Sequence, residues 1–443
     1  MIKHLRWLAG SFSPALLVLG VLFAEDKPSP IRFSEHLIAD KYDYAYGLAA
    51  VDLDGDGDLD LTSVDIRHKT EPVGRQRSSL YWFENDGQGL FQKHVIHQGE
   101  PGWFERHAVG DINGDGKPDV IVVNNQPDVA GGKNPEGHLV WFSNNEQPDT
   151  SPWKRYVITT QCPRAYDVVL VDLDDDGDLD VAASGYVSNR FTWYENPGKE
   201  GWEREWPPHQ IDEKMPEART IRTGDFNGDG KMDLLGTAVG HSKIPSDVTN
   251  RNVQGSSIVW YENSGQPASQ PWTKHVIDDQ SQAPIHGHPA DLDSDGDLDV
   301  VMALGMGKDY APEDRHEVAW YENVGTPGMG KEWTKHKIGS LPSAFEAVAS
   351  DLDGDGDVDI VATAWAFGDR VVWFENHGNP RGPWTMHVLK DKWFAANQMI
   401  VADLNGDGRP DIAATADHGS RRVDGAKELR WWRNEGRAGQ TQK

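Results

Sequence analysis

A nine-residue segment, Asp52-Leu-Asp-Gly-Asp-Gly-Asp-Leu-Asp60, recurs seven times along the chain, and no other feature constrains the fold as tightly. The copies begin at Asp52, Asp111, Asp172, Asp225, Asp291, Asp351 and Asp403, 52 to 66 residues apart. A fixed period of that size marks an array of one supersecondary unit. A tryptophan motif follows each copy, Trp82-Phe83-Glu84-Asn85 in the first unit, with counterparts beginning at Trp141, Trp193, Trp260, Trp320, Trp373 and Trp431. Behind it comes an aromatic, two residues, His or Tyr, one residue, then Ile or Leu. Six copies of that third motif follow a tryptophan motif: Phe91/His94/Ile96, Trp153/Tyr156/Ile158, Trp206/His209/Ile211, Trp272/His275/Ile277, Trp333/His336/Ile338 and Trp384/His387/Leu389. The seventh, Phe33/His36/Ile38, stands at the other end of the chain.

Each unit thus holds four short alternating segments, the pattern of four antiparallel strands. Seven such units predict an all-β, seven-bladed β-propeller. The displaced motif predicts that the N-terminal strand completes the last blade and closes the ring, leaving no open edge. The expected boundaries are 31–38 for the outer strand of blade seven, then 39–98, 99–159, 160–211, 212–277, 278–338, 339–389 and 390–436 for blades one to seven, with a tail at 437–443.

Asp or Asn at loop positions 1, 3, 5 and 9, with Gly at position 6, gathers hard oxygens around one centre, as calcium requires. The expected ligands are Asp52, Asp54, Asp56, Asp58 and Asp60 in loop one; Asp111, Asn113, Asp115, Lys117 and Asp119 in loop two; and Asp172, Asp174, Asp176, Asp178 and Asp180 in loop three. Loop four supplies Asp225, Asn227, Asp229, Lys231 and Asp233, and loop five Asp291, Asp293, Asp295, Asp297 and Asp299. Loops six and seven supply Asp351, Asp353, Asp355, Asp357 and Asp359, and Asp403, Asn405, Asp407, Arg409 and Asp411. Position 7 varies between Asp, Lys and Arg, as it can if only its carbonyl coordinates. Up to seven structural calcium ions would halve the formal charge of −28.

These loops, with the tryptophan motif, resemble the FG-GAP or VCBS repeats of integrin α-chain-like propellers, over essentially all of residues 31 to 436. Within that superfamily, Arg32-Phe-Ser-Glu-His-Leu-Ile38 and Trp193-Tyr-Glu-Asn-Pro197 look like the propeller domain of fungal aldos-2-ulose dehydratases. The second resemblance implies dehydration of keto-sugars and a propeller that binds zinc.

Met1 to Leu8 carries Lys3 and Arg6, and Ala15 to Ala24 is an apolar run ending in a small residue. That pattern predicts a signal peptide over 1–24, a linker over 25–30 and an exported protein (secreted, periplasmic or cell-surface) with no membrane span after cleavage. The acidic chain offers no basic stripe for nucleic acid. Its one cysteine, Cys162, excludes an intramolecular disulfide.

If the Asp loops lie on one face, the connections between the second and third strands share the opposite face with the loops into the next blade. From the end of each Asp loop to its tryptophan the spacing is 22, 22, 13, 27, 21, 14 and 20 residues. Varied loops on a fixed scaffold are where function concentrates. His107 stands alone as a polar residue at an otherwise apolar or small position, four before its Asp loop. The alternative for it is a hydrogen-bonded core histidine. His286-Gly-His288 is half of a zinc site, with His107, His241 or Glu346 as third ligand. Arg106, Arg164 and Arg219 begin consecutive inner strands and either converge on an anion or pair with Glu105, Asp167 and Glu217. Trp103, Trp365 and Trp393 fall outside the repeated pattern and suit stacking on sugar rings, with Asn397 as a polar contact.

The expected activity is β-elimination on a carbohydrate, by a sugar lyase or dehydratase. It uses His107, His286 and His288 as acid and base, supported by Tyr166, Arg106 and Arg164. The alternative is a non-catalytic carbohydrate- or protein-binding propeller of adhesion or lectin type. A carboxylate pair drawn from Glu105, Asp167 or Glu346 is a third option.

Overall fold

The described residues of the second strand of each unit, such as Asp180–Gly185 or Asp299–Leu304, are buried, which explains why small and apolar residues dominate there. Strands buried on both faces lose the polar alternation of a half-exposed sheet. A computed structural model describes residues 31–67, 77–125, 137–162, 164–240, 255–306, 311, 313–325, 327–417 and 425–437. Among these residues the chain forms a seven-bladed β-propeller of seven four-stranded antiparallel sheets, with a single short 3₁₀ turn, Glu313–Arg315, as its helical content. In six sheets the strands follow chain order. In the seventh, Ala396–Ala402, Asp411–Ala416 and Glu428–Arg437 are joined by Ile31–Ala39, which pairs antiparallel with Glu428–Arg437. Residues of the first and last blades, among them Leu48, Phe83, Leu404 and Trp431, share one apolar cluster.

Three repeated contacts account for the motifs. The outer-strand His or Tyr stacks on the third-strand tryptophan in every blade, with ring centroids 4.2–5.0 Å apart. In five blades that histidine also bonds the motif glutamate, as in His94 to Glu84 at 2.6 Å and His387 to Glu375 at 2.8 Å. The buried ninth-position Asp of each loop accepts two backbone N–H groups, one from loop position 2 and one from the Asn ending the tryptophan motif.

That Asn also clamps neighbouring blades. In six blades its Nδ2 donates to the position-2 carbonyl of the preceding Asp loop, as Asn196 does to Ile112 (3.0 Å) and Asn263 to Leu173 (2.8 Å). Asn196→Ala strands the buried Ile112 carbonyl and removes a bond to Leu179. Stability should fall by roughly 2–4 kcal/mol, read as a lower urea midpoint with unchanged slope. An unchanged midpoint would contradict the clamp.

Inside each Asp loop, the Oδ2 of the first Asp accepts the N–H of the position-6 glycine at 2.7–3.0 Å. Those glycines have φ between 82° and 98°, a region that side chains other than hydrogen rarely permit.

Candidate functional site

The channel is built by an irregularity that all seven inner strands share. Each carries one more residue than its partner strand near its start: between Phe104 and His107, Ala165 and Val168, Ala218 and Ile221, Pro284 and Gly287, Ala396 and Met399, Tyr46 and Leu48, and Ala344 and Glu346. A β-bulge of this kind bends the strand and re-aims side chains. The inserted stretches hold Glu105 and Arg106, Tyr166 and Asp167, Arg219 and Thr220, His286, and Asn397 and Gln398. In six blades the residue just before the inner strand is left-handed, Arg164 (φ 51°) and Glu217 (φ 52°) among them.

The bulges assemble a buried ionic floor across five consecutive blades. Arg106 pairs with Glu346 and lies 3.8 Å from Asp167; Arg222 reaches Asp167 at 2.6 Å and Glu346 at 3.7 Å; His288 Nε2 meets Glu346 at 3.0 Å. Burial opposes ionisation of Glu346, but the Arg106 charge and the hydrogen bond from His288 overcome it and hold the carboxyl far below the usual range.

Beside the floor runs a hydrogen-bonded chain whose direction can be derived. Thr220 Oγ1 donates to the Ile285 carbonyl, so it can only accept from His286 Nδ1, 2.9 Å away. His286 therefore carries its proton on Nδ1, an assignment made from the network. Its Nε2 accepts from the Tyr166 hydroxyl (2.9 Å), which in turn accepts from Tyr46 (2.9 Å). Burial, then Arg106, keeps His286 neutral well below the usual histidine range. Burial raises Tyr166 to about 12, against the pull of Arg219 and Arg106.

The floor separates two cavities. The upper one, about 170 Å³, is lined by Tyr44, Tyr46, Glu105, Arg164, Tyr166, Tyr186, Arg219, Met306, Phe345 and Trp365. The lower one, of equal volume, is lined by Arg106, His107, Asp167, Arg222, His288, Glu346, Gln398 and apolar residues.

This division corrects several expectations. His107 and His288 line the lower cavity, away from Tyr166 and Arg164. His107 Nε2 bonds Thr62 Oγ1 at 2.6 Å, the core histidine that was the alternative. Arg106 is closed into the floor by its two acids. Trp393 is a core residue, buried against Trp432 and bonded to Glu428. Asn397 is buried and bonds Asp417 at 3.3 Å. His241 lies outside the described residues. A zinc site at His286 and His288 does not fit: both ring nitrogens of His286 are taken, and although Glu346 meets His288, these three are not among the groups of described residues whose ligand atoms gather closely enough to hold an ion. Trp365 does border the site, bonding Asp417 at 2.7 Å and packing on Phe345, while Trp103 lies behind it against the Arg164 guanidinium. Sequence reasoning missed Arg222, Thr220 and Tyr186. Tyr186 follows the second strand in the blade with the shortest connection, a signal that was there to use.

Burial, then Arg106, depresses His107 to about 3. An unfolded histidine protonates near 6.5, so below that pH the unfolded chain takes a proton that the folded one refuses. Folding should thus lose on the order of 4 kcal/mol between pH 6.5 and 3 on this account. His107→Gln should flatten that part of the stability–pH profile at constant calcium; the same slope in both proteins would contradict it.

On the opposite face, carboxylate oxygens of Asp52, Asp54 and Asp60, of Asp172, Asp174 and Asp180, of Asp291, Asp293 and Asp295, and of Asp351, Asp353 and Asp355 lie within 4.8 Å of one another and could hold metal ions. Oδ1 atoms of Asp174, Asp178 and Asp293 are buried without a hydrogen bond. Burial pushes the ninth-position carboxyls up, Asp60 to about 7 and Asp180 to about 8. Crowded, under-satisfied acids of this kind fit a divalent cation. In loops five and six, Arg381 reaches Asp293 and Arg437 reaches Asp353.

Residues 71–122, 172–236 and 351–414 match the FG-GAP-like repeat, and residues 108–141 the FG-GAP repeat. The chain is a seven-bladed β-propeller carrying FG-GAP repeats. No curated protein matches it. Among solved structures it is similar to a Penicillium chrysogenum α-L-arabinanase complexed with arabinobiose, at 12% identity and a TM-score of 0.48, covering 92% of this chain and 98% of that one. It is also similar to the V. cholerae biofilm matrix protein Bap1 (10% identity, TM-score 0.41, 91% and 92% covered). A third is the PQQ-bound aldose sugar dehydrogenase of Streptomyces coelicolor (12%, 0.43, 91% and 98%). No helix among the described residues is long and apolar enough to cross a membrane.

Proposed function

We propose that this is an exported, calcium-loaded propeller whose upper cavity binds a carbohydrate and removes the proton next to a carbonyl, a carbon–oxygen lyase. The observation that carries the reading is the Tyr166–His286–Thr220 chain at the wall of an aromatic, arginine-bearing cavity. Tyrosine, tryptophan and phenylalanine faces suit a sugar ring. At about 170 Å³ the space suits a single residue, well below the roughly 300 Å³ at which drug-sized pockets begin.

As the C–H bond breaks, its proton passes to the Tyr166 oxygen while the phenolic proton moves to His286 Nε2. The ring becomes imidazolium for the duration of the transfer, held by Thr220 through Nδ1 and favoured by the Glu346 carboxylate against burial and Arg106. The electron pair forms the new C=C bond and expels the β-oxygen, and the proton returns from His286 through Tyr166 to that oxygen. Arg164 and Arg219 stabilise the negative charge that develops on the carbonyl oxygen. Calcium, held by the Asp loops on the other face, takes no part in these steps and braces the hairpins between first and second strands.

The test is ultraviolet absorbance over time with purified protein, calcium and a panel of uronate glycans and keto-sugars. The reading expects a rise from a new conjugated double bond. A flat trace across the panel would move the site to the binding alternative.

A further inference from the structure

Five side chains alternate aromatic and cationic, four of them lining the upper cavity and Trp103 standing behind Arg164. The Arg164 guanidinium lies 4.4 Å from the Trp103 ring and 4.9 Å from the Tyr186 ring. The Arg219 guanidinium lies 4.4 Å from the same Tyr186 ring and 4.5 Å from that of Tyr166. The sequence Trp103–Arg164–Tyr186–Arg219–Tyr166 is therefore a continuous ladder drawn from blades two, three and four. Aromatic faces hold guanidinium planes by cation–π attraction and leave the N–H edges for in-plane bonding. Arg164 already donates from its edge to the Tyr186 hydroxyl, at 2.7 Å from Nε, so the group is fixed before any ligand arrives.

One acid shares the lining with these two cations. Glu105 accepts from Trp103 Nε1 at 2.9 Å, and its other carboxylate oxygen is buried without a hydrogen bond. Arg219 also pairs with Glu217 at 3.3 Å, whereas Arg164 makes no ion pair among the described residues, and stacking prevents it from swinging out to solvent.

Resting on the reading of this cavity as a carbohydrate site, we infer that its ligand is an anionic sugar whose carboxylate lies along the edge of Arg164. Glu105 is then the competing anion and takes up a proton as the ligand binds. Arg164, Arg219, Tyr44, Tyr46 and Tyr166 all face it electrostatically, and burial already raises its carboxyl against the pull of Arg164. A neutral sugar would gain nothing from the ladder and would draw in no proton.

Titration calorimetry of the calcium-loaded full chain with glucuronate, galacturonate, glucose and galactose tests this, in buffers of different ionisation enthalpy. The uronates should bind at least about tenfold more tightly than their neutral counterparts, as expected for a charge-assisted contact, with proton uptake. Arg164→Met, which keeps a long side chain in the ladder without the charge, should bring the ratio close to one. Glu105→Gln should remove the proton uptake and tighten uronate binding, whereas a merely structural glutamate would weaken it. Neutral sugars binding as tightly as uronates would overturn the inference and leave the carbohydrate reading standing. Binding by none of the four would overturn both.

Discussion

If the Asp loops hold calcium as proposed, a chelator should lower the melting temperature on the order of 20 °C, and magnesium should not restore it. Four loops bring three carboxylates each within ligand distance of one another. An ion present at about a hundred times its dissociation constant contributes about 2.7 kcal/mol per site. Four such sites amount to roughly 11 kcal/mol, the size of a typical domain's whole stability. Magnesium should fail because these loops offer flexible oxygen ligands, while it demands a strict octahedron and keeps its waters. The transition should be followed by circular dichroism with calcium, with chelator, and with chelator plus magnesium. A shift of a few degrees would show that the carboxylates bear their crowding without an ion.

Tyr166→Phe should abolish the proposed elimination, by about 10³-fold or more, while the melting temperature stays within a few degrees. General acid–base transfer by one positioned group contributes about 10²–10⁴-fold, and here one hydroxyl serves in both directions. The phenylalanine keeps the ring face that Arg219 covers and loses only the link between Tyr46 and His286. His286 then has no route to the cavity. His107→Gln, acting below the floor, should leave the rate within about threefold. If the two variants lost activity equally, the floor would not be dividing two separate chemistries.

The repeated parts of this molecule were legible because they repeat. Seven Asp loops, seven tryptophans and one displaced His-Ile segment carry a pattern that tolerates little else, and each motif residue meets the same partner in blade after blade. The channel has no such redundancy. Tyr166, His286 and Glu105 were visible as unusual residues, but their roles depend on seven bulges, each inserting one residue that no periodicity announces. A one-residue shift reverses the face a strand side chain occupies. That is why His107, four residues before its loop, proved to lie below the floor, while Glu105, two earlier, lies above it. Trp393 misled for the opposite reason: it stands outside the repeat yet fills the core beside Trp432. Arg222 was passed over because its acid partners, Asp167 and Glu346, come from different blades, 55 and 124 residues away in the chain.

The central claim, that the Tyr166–His286 pair takes a proton from carbon, is tested most directly by exchange. A uronate or keto-sugar ligand is incubated with the calcium-loaded protein in deuterium oxide, and the signal of the proton beside its carbonyl is followed by NMR. The account predicts that this signal decays with the wild-type protein and persists with Tyr166→Phe. A signal that survives with both, while the sugar demonstrably binds, would contradict it and leave the cavity as a binding site alone.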